Sequence, residues 1–452
     1  MVPGAEECSV IDQSTVHMKQ ASGLRKSRFS SYRVKQGLDS LALGRMMSDS
    51  RQLRIALYSH DTMGLGHMRR NLLIAQALTD AFPHASILMI AGSGQVNAFA
   101  MPPNVDCLTL PALRKEANGE YQARRLGVAL PDLISLRAKT IRSALEGFQP
   151  DVLIVDNVPR GAVRELDVAL AYLRATGRTR CILGLREVLD EPERVALEWQ
   201  RAANEQCIRA NYDAVWVYGD RRVYDAVREY QFAPDVAAKV RFTGYLDQRM
   251  RTVSATVDEQ LAALDLPPGK LALCVLGGGQ DGMELAEAFV QADLPEGYNG
   301  LLVTGPFMPT EARVRLEQAV AQHERMRVLS FVDEPAGLLE RADRVIAMGG
   351  YNTTSEVLSF EKHALIVPRV RPRREQLIRA ERLRDLGLCD MLHPADLSPA
   401  ALSAWLARDL GAAPSARECL DLNGLARLPE LLREALADGV QQREFGQLAA
   451  LH

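Results

Sequence analysis

The sequence predicts an α/β protein made of two doubly wound Rossmann-like domains facing a central cleft. Three observations carry this expectation. Short apolar runs alternate with amphipathic helical stretches, as parallel sheets covered on both faces require. The alternation falls into two series, predicting domains over residues 53–246 and 247–426. Each series has a glycine-rich turn directly after its first apolar run, where an open α/β sheet binds its ligand.

In the first series Leu53–Ser59 (LRIALYS) reads as a strand, Asn71–Ala81 as a helix and Ser86–Ala91 (SILMIA) as a second strand. A shorter strand follows at Val105–Leu110, then a helix at Leu130–Gly147 stopped by Gln149-Pro150. Asp151–Val155 (DVLIV) is a strand ending in Asp156-Asn157. A helix at Gly161–Thr176 leads to the strand Arg180–Leu185, and Ala214–Tyr218 and Val240–Thr243 complete the sheet.

The second series opens with the strand Leu271–Leu276, a Gly277-Gly278-Gly279-Gln280-Asp281-Gly282 turn and a helix through Val290. Strands are expected at Gly300–Thr304, Met326–Leu329, Arg344–Ala347 and Ala364–Val367. Helices lie between them at 310–323, 335–341 and 353–360. An arginine-rich helix at 373–386 and helices at 399–409 and 427–437 close the pattern. Residues 1–52 are polar, basic and weakly periodic, which predicts a loosely ordered extension. Residues 427–452 read as a helical tail.

The bulk numbers exclude several classes. The 452 residues are 47% hydrophobic and 25% charged, ordinary for a soluble globular chain. A net charge of −3 argues against nucleic acid as the main partner. The 7 cysteines contain no Cys-x-x-Cys pair, and Cys181 and Cys274 fall in apolar strands, so buried free thiols in a reducing compartment are expected. No 18-residue apolar run and no secretory apolar core occur. The expected location is the cytoplasm, with peripheral contact at the inner membrane surface left open.

Chemistry is concentrated at the strand ends. Met348–Glu356, MGGYNTTSE, joins a buried strand to a helix through a glycine turn. Backbone N–H groups and the positive helix end there favour an anion. Glu356, one turn further in, can reach hydroxyls on whatever carries that anion. A plain helix N-cap by Asn352, Thr353 or Thr354 is the alternative. Gly278 and Gly279, with Gln280 behind them, allow a second close approach of ligand to backbone. In the first series, Gly64-Leu65-Gly66-His67 puts a histidine at the mouth of a helix, a suitable place for a general base. A structural histidine is the alternative reading. Asp156 could orient His67 or bind an acceptor, and Asn157 and Arg186 end strands facing the same cleft. Of the residues after Val367, Glu375 and Gln376 suit paired sugar hydroxyls better than the nearby arginines do.

These motifs together resemble a GT-B fold glycosyltransferase of the family 28 type, close to the peptidoglycan N-acetylglucosaminyltransferases and to a bacterial group of predicted glycosyltransferases. The resemblance rests on Gly277–Gly279, Ser330-Phe331-Val332-Asp333-Glu334, Ala342-Asp343, Gly350–Glu356, Glu375-Gln376 and the Gly64–His67 loop. It implies that Val332, beside Phe331, presents its backbone to a nucleobase and that Glu356 holds the ribose hydroxyls. The amides of Tyr351, Asn352 and Thr353 would hold the diphosphate, and Glu375 and Gln376 would contact the sugar. His67 would activate the acceptor. The implied reaction is inverting transfer from a nucleotide-diphosphate sugar, most naturally a UDP sugar, to a glycan or lipid-linked hydroxyl acceptor in cell-surface polysaccharide or glycolipid synthesis. No cofactor beyond the nucleotide-sugar substrate and no metal ligand are expected, since the chain has no Asp-x-Asp triplet. Two other functions fit the same pocket: a UDP-sugar 2-epimerase and a non-catalytic nucleotide-sugar-binding protein.

Overall fold

A computed structural model describes residues 52–60, 66–92, 100–115, 121–250, 256–279, 281–330, 332 and 335–449. The expected extension over residues 1–52 therefore lies outside the described residues, apart from Gln52.

The strands, in chain order, are β1 (Arg54–Ser59), β2 (Ser86–Ala91), β3 (Val105–Thr109), β4 (Leu113–Lys115), β5 (Tyr121–Ala123), β6 (Val152–Asp156), β7 (Arg180–Arg186), β8 (Ala214–Tyr218) and β9 (Val240–Gly244) in the first half. The second half holds β10 (Lys270–Val275), β11 (Tyr298–Val303), β12 (Met326–Leu329), β13 (Arg344–Ala347), β14 (His363–Ile366) and β15 (Asp390–Met391). β4 and β5 form a small antiparallel hairpin. The others build two parallel sheets, in the orders β3-β2-β1-β6-β7-β8-β9 and β12-β11-β10-β13-β14-β15.

Both sheets are buried on two faces, as their unbroken apolar strands require. Along β1, Ile55 and Leu57 enter one core while Ala56 and Tyr58 enter another. In β10, Ala272 and Cys274 face one way and Leu271, Leu273 and Val275 the other. Strand order reverses between β1 and β6 in the first sheet and between β10 and β13 in the second. The crevice at such a switch point is where an open α/β sheet receives its ligand. The segments leaving these four strands are the ones that carry His67, Asp156, Gly277–Gly279 and Gly349–Gly350.

The structure departs from the sequence expectation at several elements. The first helix begins at Gly66, not Asn71, because Met68 and Arg70 are buried and belong to its inner face. The expected helix over 161–176 is a short 3-10 turn at Ala162–Arg164 followed by a helix at Asp167–Thr176. Gly161, at φ +68°, redirects the chain before that turn. Helices at Pro192–Ala202 and Asn204–Asn211 fill a stretch to which no element had been assigned. The last helix, Gly424–Ala449, is longer than expected and returns to the first half. Its Leu425, Leu428, Leu432 and Leu436 share a core with Leu72 and Leu73 of the Gly66–Ala81 helix.

Candidate active site

His67 and Arg70 are three residues apart on the Gly66–Ala81 helix and so share one face. Both reach Asp156, the last residue of β6, which is 1% exposed. Arg70 grips the carboxylate: Nε donates to Oδ1 at 3.0 Å, and Nη2 donates to Oδ1 at 2.6 Å and Oδ2 at 2.7 Å. His67 Nδ1 is hydrogen-bonded to Asp156 Oδ2. Burial opposes ionisation of Asp156, but Arg70 and then His67 outweigh it and hold the carboxyl well below the usual carboxylate range. An ionised carboxylate only accepts, so the proton of this bond sits on His67 Nδ1. Nε2 is left as the basic ring nitrogen. The 3.0 Å approach of Arg70 Nη2 to His67 Nδ1 brings two donors together and is a crossing contact within the fork.

The His60 ring packs on His67, with centroids 4.7 Å apart and planes tilted by 55°. Burial, then the neighbouring His67, pushes the His60 pKa well below the ordinary histidine value, so His60 stays neutral.

The opposite wall comes from the second half. At Gly279, φ is +83° and a Cβ would lie 2.3 Å from the Thr304 carbonyl oxygen. At Gly305, φ is +86° and a Cβ would lie 2.3 Å from the Gly277 carbonyl oxygen. The turns after β10 and β11 are thus interlocked backbone to backbone, and only glycine fits.

Gly350 is the N-cap of the Tyr351–Ser359 helix, with φ −60° and ψ 149°, and no side chain caps it. The expected capping by Asn352, Thr353 or Thr354 does not occur. Asn352 Nδ2 instead donates to the Gly66 carbonyl across the cleft at 2.8 Å. A Cβ on Gly350 would meet nothing within 4 Å. Tyr351, Asn352 and Thr353 of the first turn line open space, with the positive helix end behind them.

A cavity of about 260 Å³ lies between the two walls. Of the residues singled out from sequence, Gly66, His67 and Arg186 line it from the first half. Gly278, Gly279, Val332, Gly350, Tyr351, Asn352, Thr353, Glu356 and Gln376 line it from the second. Glu356 is only 3% exposed. Asp156 and Asn157 stand behind the lining, Asp156 through His67 and Asn157 through a 3.4 Å bond from Arg186 Nε to its Oδ1. Glu375 also stands back: Arg369 Nη2 donates to its Oε1 at 2.6 Å, while Oε2 is buried with no hydrogen-bond partner among the described residues. Burial raises the Glu375 pKa, but Arg369, Arg186 and Arg379 together hold it below the ordinary value. Gln376 accepts the Arg369 amide at 2.8 Å. Gly64, Gln280 and Phe331 lie outside the described residues.

Sequence reasoning did not pair the residues that tie the walls together. Arg69 Nη2 donates to the Val332 carbonyl at 3.1 Å, engaging the backbone expected to face a nucleobase. Arg379 donates to Glu187 at 2.6 and 3.2 Å, a buried pair joining the Glu375–Asp385 helix to the segment after β7. Tyr245 donates to Glu187 as well, at 3.0 Å. Arg369 extends the cavity rim through Asp281 at 2.7 Å. Placing the first helix at Gly66 would have revealed Arg70, which then falls one turn from His67. The other arginines carry no spacing signal.

Two parallel Rossmann-like sheets whose switch points meet across one cavity define the GT-B architecture. Residues 272–418 match the model of the glycosyltransferase family 28 C-terminal domain. The chain is similar to the UDP-N-acetylglucosamine--N-acetylmuramyl-(pentapeptide) pyrophosphoryl-undecaprenol N-acetylglucosamine transferase of Sulfurihydrogenibium sp. (strain YO3AOP1). They are 29% identical over 134 residues, 29% of this chain and 36% of that one. The chain spans less than half the length of the curated relatives it matches. Among solved structures it resembles Acinetobacter baumannii MurG, with a TM-score of 0.53 and 15% identity over 85% of this chain and 100% of that one. It also resembles UDP-GlcNAc 2-epimerase from Neisseria meningitidis bound to UDP-GlcNAc, with a TM-score of 0.55 and 12% identity over 86% and 100%. At these identities the structural likeness establishes the fold.

Proposed function

We propose that this protein is a glycosyltransferase that moves a sugar from a UDP-sugar to a hydroxyl acceptor. The observation that carries the reading is the uncapped N-terminus of the Tyr351–Ser359 helix, which opens onto the same cavity as the His67–Asp156 pair. The amides of Tyr351, Asn352 and Thr353 suit a diphosphate, whose negative charge the helix end favours. Glu356, buried at the cavity wall five residues beyond Tyr351, suits the ribose hydroxyls. The family 28 match over residues 272–418 covers this wall and supports the same assignment.

Transfer then proceeds as follows. The acceptor oxygen attacks the anomeric carbon and the bond from that carbon to the diphosphate oxygen breaks. UDP leaves with the electron pair, stabilised by the helix amides. The acceptor proton passes to His67 Nε2, and Asp156 stabilises the imidazolium that forms. Attack from the His67 side, opposite the diphosphate wall, inverts the anomeric centre. Charge stabilisation by the helix amides makes a metal-independent reaction our proposal. A cell-surface glycan or lipid-linked acceptor, met at the cytoplasmic face of the membrane, is the acceptor we propose. No helix of the described residues is long and apolar enough to cross a membrane.

A coupled assay for UDP release, run over a panel of UDP-sugars with and without hydroxyl acceptors, tests this. Acceptor-dependent release is expected. Conversion of the donor sugar without any acceptor would contradict transfer and favour epimerisation, and binding without turnover would favour a sensor.

A further inference from the structure

Among the described residues four arginines line the cavity, and three of them are committed to protein partners. Arg69 donates to the Val332 carbonyl, Arg70 holds Asp156, and Arg369 bridges Asp281 and Glu375. Arg186 is different. Among the described residues its one hydrogen bond runs from Nε to the neutral Asn157 side chain at 3.4 Å, and it forms no ion pair. Burial lowers its pKa to about 10, against the attraction of Glu375. The Glu375 and Asp156 carboxylates attract this half-buried guanidinium but neither is hydrogen-bonded to it among the described residues, so its donors at the cavity are open to an anionic ligand.

Its position indicates which ligand that is. Gly184 of β7 is the register partner of Asp156 in β6, so Arg186 stands two residues beyond the level of the carboxylate that holds His67. Arg186 and His67 line the same cavity from the first half. Arg186 therefore lines the cavity on the same half as the residue proposed to activate the acceptor. Nearby, Glu375 Oε2 is buried with no hydrogen-bond partner, an acceptor suited to a sugar hydroxyl.

We propose that Arg186 is a specificity-determining residue that binds a carboxylate or phosphate carried by a substrate, separate from the donor diphosphate. This rests on the glycosyl-transfer reading and names its substrate class. The anionic group belongs either to the donor sugar or to the acceptor, and the chemistry of recognition is the same in both.

Calorimetric titration of the full chain and of Arg186→Met separates the sources. UDP alone is titrated first. The donor arm compares UDP-glucuronate with UDP-glucose. The acceptor arm compares glucose 1-phosphate with glucose, both with UDP saturating. In one arm the wild type should prefer the anionic member by roughly 10–100-fold, as a charge-assisted hydrogen bond gives. Arg186→Met should abolish that preference and keep the UDP affinity, while Arg186→Lys restores part of the preference and shows that the variants fold. The arm with the preference identifies the source. A wild type that binds UDP but prefers the anionic member in neither arm overturns the inference. Equal loss of UDP affinity in Arg186→Met also overturns it, making Arg186 a diphosphate ligand. A wild type that does not bind UDP removes the donor reading itself and this inference with it.

Discussion

Asp156 is held by two partners that reach it from one helix face, and each depends on the other. With Asp156 gone, Arg70 is a buried cation without a counter-charge and His67 has no fixed tautomer. Asp156→Asn should lower stability by about 3–5 kcal/mol, the cost of breaking a buried pair. It should also lower turnover by roughly 10²–10⁴-fold, the usual weight of a general base. UDP affinity should change little, because the donor wall belongs to the second half. Chemical denaturation together with kcat and UDP titration checks all three. His60 gives a pH signature of its own. Its folded pKa lies below the unfolded value, through burial and then His67, with Asp156 opposing. Its contribution to stability is therefore fully present above about pH 6.5 and is lost as the pH falls through the folded pKa, with a slope of at most about 1.4 kcal/mol per pH unit. His60→Leu should flatten the thermal stability profile between about pH 6.5 and 5 relative to wild type. Equal slopes in the two proteins would remove His60 from this role.

Among the elements, the Tyr351–Ser359 helix has the positive end that a helix offers to anions and an N-cap whose side chain satisfies none of its amides. Gly350 already has extended φ and ψ and open space where a Cβ would be, so an aspartate fits without strain. Gly350→Asp would place a carboxylate on the first-turn amides. It should stabilise the chain by a few tenths of a kcal/mol or more, as a better N-cap does. It should also weaken UDP binding at least about tenfold, because the cap competes with the diphosphate and repels it. A gain in melting temperature with unchanged UDP affinity would refute the anion site at this helix. This element was legible in the sequence, since its strand, glycine turn and Glu356 occupy thirteen consecutive residues, Arg344–Glu356. The Gly66–Ala81 helix was legible only from Asn71 onward. The polar and glycine-bearing stretch before Asn71 reads as loop until Met68 and Arg70 are known to be buried.

At the scale of the molecule, two parallel sheets with switch points facing one another were foreseen from alternation alone. The contacts that hold the halves together were not. Glu187 and Arg379 are separated by 192 residues in the chain, and no local pattern relates them. The pair is buried, and Arg379 also donates to the Gly349 carbonyl at 3.2 Å, tying it to the turn that precedes the candidate anion site. Arg379→Met should destabilise the protein by about 3–5 kcal/mol by stranding the Glu187 carboxylate. The double variant Glu187→Leu, Arg379→Met should recover much of that loss in chemical denaturation, as apolar replacements of buried pairs do. Similar losses in the single and double variants would show that packing, not the pair, decides the stability here. The return of the Gly424–Ala449 helix to the first core was equally hidden, because its leucine spacing marks an apolar face but not the surface it covers.

The central claim is that the wall from Gly277 to Gln376 holds a nucleoside diphosphate opposite His67. A crystal structure of the full chain with UDP tests it most directly. The account predicts phosphate oxygens within hydrogen-bond distance of the Tyr351, Asn352 and Thr353 amides and ribose hydroxyls on the Glu356 carboxylate. UDP bound elsewhere, or phosphates directed away from that helix end, would contradict it.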